Sequence, residues 1–155
     1  MLRRDDSGQS LLEVAISVSV LFLLVMGTVD FGFLLSTKLT LQNAVRQAGR
    51  YAITGQCVVA GDGTCNRYTS VTQKLQQSSL GLLNNNNTGD VTISCANFGG
   101  GCPNNAGGPG DVVTISVSYP YHFISPLVGV IFRYQPYNIR VSAAFTNEAF
   151  PPNAS

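Results

Sequence analysis

The sequence predicts an α+β fold: a long apolar N-terminal helix continuing into a small domain with a short antiparallel sheet of about three strands. Three observations carry this expectation. Residues 14–29 contain no charged side chain. No proline interrupts the chain between Gln9 and Thr54. Beyond Gly55, three segments alternate apolar and polar residues, with turn-forming stretches between them.

Composition narrows the function classes. Charged residues make up 11% of the 155 residues, where a soluble domain carries roughly 25%. A formal net charge of +1 supplies no basic surface for nucleic acid. The length allows one domain with an appended segment and no second core.

The helix comes first. As a helix, the stretch Leu11 to Leu35 would reach roughly 37 Å, enough to cross a hydrocarbon core of about 30 Å. Its two charges, Glu13 and Asp30, would lie about 25 Å apart along the axis, each near an opposite interface. A secretory signal has a shorter apolar region, about 7–15 residues, and a small-residue cut site. Here the run is longer, and Ser36-Thr37-Lys38 follows it. The reading is a single membrane span over 11–35. Past the span, Leu41, Ala44, Val45, Ala48 and Ala52 recur at helical spacing as a stripe of small apolar residues. Gln42, Arg46, Gln47 and Arg50 lie off the stripe and suit water. One helix over 9–54 is expected, with Gly27, Gly32 and Gly49 each costing about 1 kcal/mol relative to Ala. At Gly27 and Gly32 close helix–helix packing is the expected reason, with local unwinding on leaving lipid as the alternative, and Thr54-Gly55 is a suitable stop.

Arg3 and Arg4 precede the span while Lys38, Arg46 and Arg50 follow it, so basic residues do not set its orientation. The cysteines do better. Cys57, Cys65, Cys95 and Cys102 all follow the span. Four cysteines allow three pairings, and sequence alone does not choose among them. Local pairing, Cys57 with Cys65 and Cys95 with Cys102, is the economical expectation, each bridge contributing roughly 2–3 kcal/mol. A zinc site is disfavoured, because no C-x-x-C occurs and His122 is the sole imidazole. Disulfides imply an oxidising compartment, which puts residues 55–155 outside the cytoplasm and the short N-terminal tail inside.

At the entrance to the span stands Ser7-Gly8-Gln9-Ser10-Leu11-Leu12-Glu13. A polar leader with basic residues, a Gly, and a Glu five positions later resembles the processing site of type IV prepilins. That resemblance implies cleavage by a membrane prepilin peptidase between Gly8 and Gln9, making residues 1–8 a cytoplasmic leader. Glycine lets the backbone lie extended in a narrow protease cleft, having no Cβ to clash. A buried Glu13 needs neutralising, and the new amine at Gln9 lies one helical turn away. The resemblance implies that this pair, within or between subunits, sets axial register in a filament.

Val29-Asp30-Phe31-Gly32 and Leu41-Gln42-Asn43-Ala44-Val45-Arg46-Gln47-Ala48-Gly49-Arg50-Tyr51-Ala52 resemble the TadE/TadG-like pseudopilins of tight-adherence (Tad, type IVc) pilus systems. The likeness runs from about Ser7 to Thr54, with a weaker echo at Val113 to Pro126. Val14 stands where an aromatic is common, Phe33 where an Arg often follows Asp-Phe-Gly, and the span lacks the family's frequent Pro. The resemblance implies a pilin-like protein of the bacterial inner membrane, single-pass, with a periplasmic or extracellular head. It also implies assembly and adhesion partners: the peptidase, other pilins or pseudopilins, and Tad assembly proteins.

The head is expected to contain, in order, a loop over Gln56 to Asn66, an amphipathic helix over Thr69 to Leu83 and a loop through Asn84 to Gly89. A strand over Val91 to Cys95 and a Gly/Asn/Pro-rich loop over Ala96 to Gly110 follow. A second strand runs over Val112 to Tyr119, with Val113, Ile115, Val117 and Tyr119 on one face, ended by Pro120, which has no N–H to donate. The apolar connection Pro120 to Pro136 is expected to complete the core, with an exposed patch for a partner or the membrane surface as the alternative. The last strand runs Asn138 to Thr146, with Ile139, Val141, Ala143 and Phe145 alternating.

Catalytic patterns fail on context. Asp30-Phe31-Gly32 matches a kinase tripeptide, but at a membrane boundary in a chain too short for a kinase. The glycine clusters at 99–101 and 107–110 lie between strands, with no helix N-terminus for a phosphate. His122 has no Cys, Asp or Glu near it in sequence. A structural assembly component without cofactor, metal, nucleic acid or small-molecule substrate is therefore expected. An uncleaved, membrane-anchored periplasmic scaffold or binding module is the alternative, and an anchored hydrolase using His122 a third.

Overall fold

The computed structural model describes residues 6–57, 66–84, 90–96, 102, 106–131 and 133–149. Helix α1 runs Asp6–Ile53, 48 residues without a break, as an apolar run with no proline dictates. It ends where expected: Gly55 takes φ 67°, and its N–H returns to the Ala52 carbonyl at 3.2 Å, a glycine stop. The chain divides into two compact units, one of Met1–Leu35 with His122–Pro136, the other of Ser36–Tyr121 with Tyr137–Ser155.

The second unit holds the sheet. Strands β1 (Asp90–Cys95), β2 (Val112–Tyr121) and β3 (Tyr137–Thr146) form an antiparallel sheet in the order β1-β2-β3. Ile93 from β1, Val113, Ile115, Val117 and Tyr121 from β2, and Ile139 and Val141 from β3 are buried. The lower part of α1 contributes Leu41, Ala44, Val45, Ala48 and Ala52, none of them exposed. The small residues let helix and sheet approach closely. At Gly49 the ring of Phe145 occupies the space of the missing side chain, so a Cβ there would lie 2.2 Å from Cε2. Gly27 and Gly32 have nothing within 4 Å of an added Cβ.

Helix α2 (Arg67–Ser78) starts two residues earlier and ends earlier than the periodicity predicts. Asn66 caps it, its side chain accepting the Thr69 N–H at 3.1 Å. Val71, Leu75 and Ser79 are buried. The helix stops because Ser79 turns back on Gln76, its Oγ donating to that carbonyl at 2.7 Å. Leu80 and Gly81 then adopt φ 53° and 84°. Ser79 Oγ also accepts the Leu83 N–H at 3.1 Å, which keeps Leu83 buried without helix.

Pro120 does not end β2, contrary to expectation: it pairs with Asn138, and Tyr121 with Tyr137. The reason is local. Strand β1 reaches only to Ser118, so beyond that point one side of β2 is an edge, where a residue without N–H forfeits no ladder bond. Cys95 and Cys102 are bridged. Cys57 is disulfide-bonded, and its expected partner Cys65 lies outside the described residues.

The first unit departs most from expectation. The connection after β2 groups with the apolar half of α1 rather than completing the sheet's core. Its short helix α3 (Pro126–Ile131) and flanking turns leave Ile124, Val130 and Tyr134 more than half exposed. The physical cause is a tether: the backbone amides of Ile124 and Ser125 donate to the Asp30 carboxylate.

Candidate functional site

The N-terminal part of α1 carries the residues expected to matter for processing and assembly. Gly8 and Gln9 are helical and exposed. A protease that reads extended backbone must therefore unwind this first turn, and Gly8 makes that easier by about 1 kcal/mol relative to Ala. Glu13 is exposed one turn beyond Gln9, at i+4 on the same helical face. Among the described residues no partner meets its carboxylate within the chain. All residues from Gly8 to Val25 are exposed, with Leu11, Leu12, Val14, Ile16, Phe22 and Leu24 each above half. Such a surface is unsuited to water and fits lipid or neighbouring helices. The helix is long and apolar enough to cross a membrane, and it fits a single-pass anchor.

Asp30 marks the other end of this surface and differs from Glu13. Between Gly8 and Leu35, the residues that are not exposed are Met26, Gly27, Asp30 and Leu34, one face at i, i+4 spacing. Asp30 is 3% exposed. Its Oδ1 accepts from the Ile124 amide at 3.1 Å, and both oxygens accept from the Ser125 amide at 3.2 Å. Ser125 in turn caps α3, its Oγ accepting the Val128 N–H at 3.2 Å, with Pro126 in the first helical position. Charge-assisted bonds to backbone N–H are among the stronger kind. The sequence suggested a boundary charge; the structure makes Asp30 a tether across more than 90 residues of chain. Ser125-Pro126 was a legible helix-start signal, but nothing local pointed it to Asp30.

A second polar residue escaped the sequence reading. Arg67, 1% exposed, donates Nη2 to the Ala52 carbonyl at 2.7 Å and Nη1 to the Gly107 carbonyl. It thus joins the end of α1, the start of α2 and the loop before β2. Burial lowers its pKa below the ordinary arginine value. An arginine opposes the dipole at its own helix N-terminus, but the α1 C-terminal carbonyl it reaches offsets this. In a polar helix, Arg67 reads as a solvated side chain, so no signal could have found it. Asn147 closes the same region, donating to the Ala106 and Gly108 carbonyls at 3.0 and 2.9 Å.

His122 is exposed. Among the described residues no group of three His, Cys, Asp or Glu side chains is placed to hold a metal ion.

Comparison with known proteins agrees with the position of these features. No curated protein and no solved structure matches the chain. The family model of TadE-like proteins matches residues 8–50, wholly within α1 and spanning Gly8, Glu13, Asp30 and the small-residue stripe from Leu41 to Ala48. Over these residues the helix is similar to that of TadE-like proteins.

Proposed function

We propose that this chain is a pseudopilin or minor pilin of a Tad-type pilus, serving pilus biogenesis and adhesion. Residues 1–8 are a cytoplasmic leader removed by a prepilin peptidase after Gly8. Residues 9–54 are the assembly helix, with its membrane span over about 11–35, and residues 55–155 form the head outside the cytoplasm. The inner membrane holds the chain until it joins other pilins and Tad assembly proteins, with Glu13 setting axial register against a Gln9 amine. One observation carries this reading: the TadE-like match over residues 8–50 coincides with a helix exposed on all sides from Gly8 to Val25. A soluble protein would bury such a surface.

The test is processing in a host that expresses the chain together with a prepilin peptidase. Intact-mass measurement should show the wild type without residues 1–8 and Gly8→Leu at full length. A wild-type chain that keeps its leader beside an active peptidase would refute the proposal and favour the uncleaved, membrane-anchored scaffold.

A further inference from the structure

Segment 122–136 leaves the sheet after Tyr121 and returns at Tyr137, yet it groups with the membrane-spanning half of α1. Its position along that helix is set by Asp30, about 25 Å from Glu13 at 1.5 Å per residue. With Glu13 near one face of a hydrocarbon core of about 30 Å, Asp30 falls near the other. The tethered segment is therefore held where α1 emerges from lipid.

Its chemistry suits that depth. Residues 124–131, Ile-Ser-Pro-Leu-Val-Gly-Val-Ile, carry no charge. Ile124 and Val130 are 65% and 60% exposed, and Tyr134 is 68% exposed. Meanwhile six backbone amides of the segment are satisfied within the unit. The amides of Ile124 and Ser125 go to Asp30, that of Val128 to Ser125 Oγ, and that of Gly129 to the Ser125 carbonyl. Arg133 and Tyr134 donate to the Val130 and Gly129 carbonyls, and Pro126 has no N–H to satisfy. Apolar side chains turned outward over hydrogen-bonded backbone suit a lipid environment. The segment then ends on Arg133 and Tyr134, both exposed at φ 53° and 55°. These are the residue types that reach lipid headgroups from the interface.

We propose that residues 122–136 are a second membrane contact, an interfacial wedge in the leaflet from which α1 emerges. Ile124 and Val130 enter the outer end of the acyl chains, and Arg133 and Tyr134 lie at headgroup level. The occupant is lipid because the patch continues the exposed apolar surface of residues 11–35 within one unit. This inference rests on the reading of α1 as a membrane anchor.

The chain contains no tryptophan, so single tryptophans report depth without background. Full-length Ile124→Trp, Val130→Trp, Phe22→Trp and Thr92→Trp are reconstituted in phosphatidylethanolamine/phosphatidylglycerol vesicles. Each is measured with lipid brominated near the carbonyl end or near the methyl end of its chains. The expected result is blue-shifted emission at positions 124 and 130, quenched more by the shallow bromines than by the deep ones. Position 22 should be quenched most by the deep bromines, and position 92 by neither. Unquenched, water-like emission at 124 and 130 with position 22 still quenched would overturn the wedge while leaving the anchor. A wedge that quenches only when a second pilin-like chain carries the quencher would equally overturn it, assigning the patch to protein. An unquenched position 22 would overturn the anchor itself, and the wedge with it.

Discussion

Gly49→Ala tests how tightly the assembly helix is seated on its head. The new methyl would stand 2.2, 2.3 and 2.6 Å from Cε2, Cζ and Cδ2 of Phe145, where carbon atoms rest at about 3.5–4.0 Å. The ring must therefore retreat by roughly 1.5 Å, although its backbone is fixed opposite Val113 in the ladder. Forced repacking of this kind costs about 1–3 kcal/mol, whereas Ala in place of a helical Gly returns about 1 kcal/mol. The net effect in the wild type is a loss of about 0–2 kcal/mol. In a Phe145→Ala background the clash is gone, and the same substitution should stabilise by about 1 kcal/mol. The coupling between the two sites is then about 1–3 kcal/mol, well outside the 0.3–0.5 kcal/mol scatter of roughly additive pairs. Urea unfolding of the full-length chain in mild detergent, followed by near-UV circular dichroism of its tyrosines, gives all four corners of the cycle. The midpoints should move with m unchanged. A Gly49→Ala chain that is stabilised by about 1 kcal/mol with Phe145 present would refute the seating of helix on strand described above.

Asp30→Ala removes the acceptor for two amides, each worth about 1–3 kcal/mol when left unmade, so hydrogen exchange at Ile124 and Ser125 in lipid nanodiscs should accelerate at least about tenfold. Asp30→Asn, which keeps one acceptor oxygen, should fall between; unchanged exchange in both would show that the tether does not hold the segment. Arg67→Met deprives the Ala52 and Gly107 carbonyls of a donor and should lower stability by about 2 kcal/mol, read as a lower urea midpoint, whereas an unchanged midpoint would deny Arg67 its structural role. Glu13→Ala should leave the chain in the membrane fraction at wild-type level while reducing its recovery with sheared filaments. Loss of membrane insertion would give Glu13 another role.

The parts legible in the sequence were those encoded by local pattern. The Pro-free apolar run gave α1, the i, i+3, i+4 stripe from Leu41 to Ala52 gave its buried face, and strict alternation gave β2 and β3 with their inward residues. The TadE-like likeness was legible for the same reason, since its residues lie along one helix. What failed depended on partners distant in the chain. Pro120 stays in its strand because β1 is too short to flank it, a fact about another segment. The apolar connection looked like core because apolar residues carry no address, and only Asp30, far upstream, assigns it to the other unit. Arg67 is unremarkable in composition and acquires its role from two carbonyls on separate elements.

The most direct test of the central claim is the N-terminus of the mature chain isolated from its native host. The account predicts that it begins at Gln9, with residues 1–8 gone and the apolar helix retained in the membrane or filament. An intact leader in a host with an active prepilin peptidase would contradict it, and a chain beginning near Lys38 would show that the helix is a discarded signal.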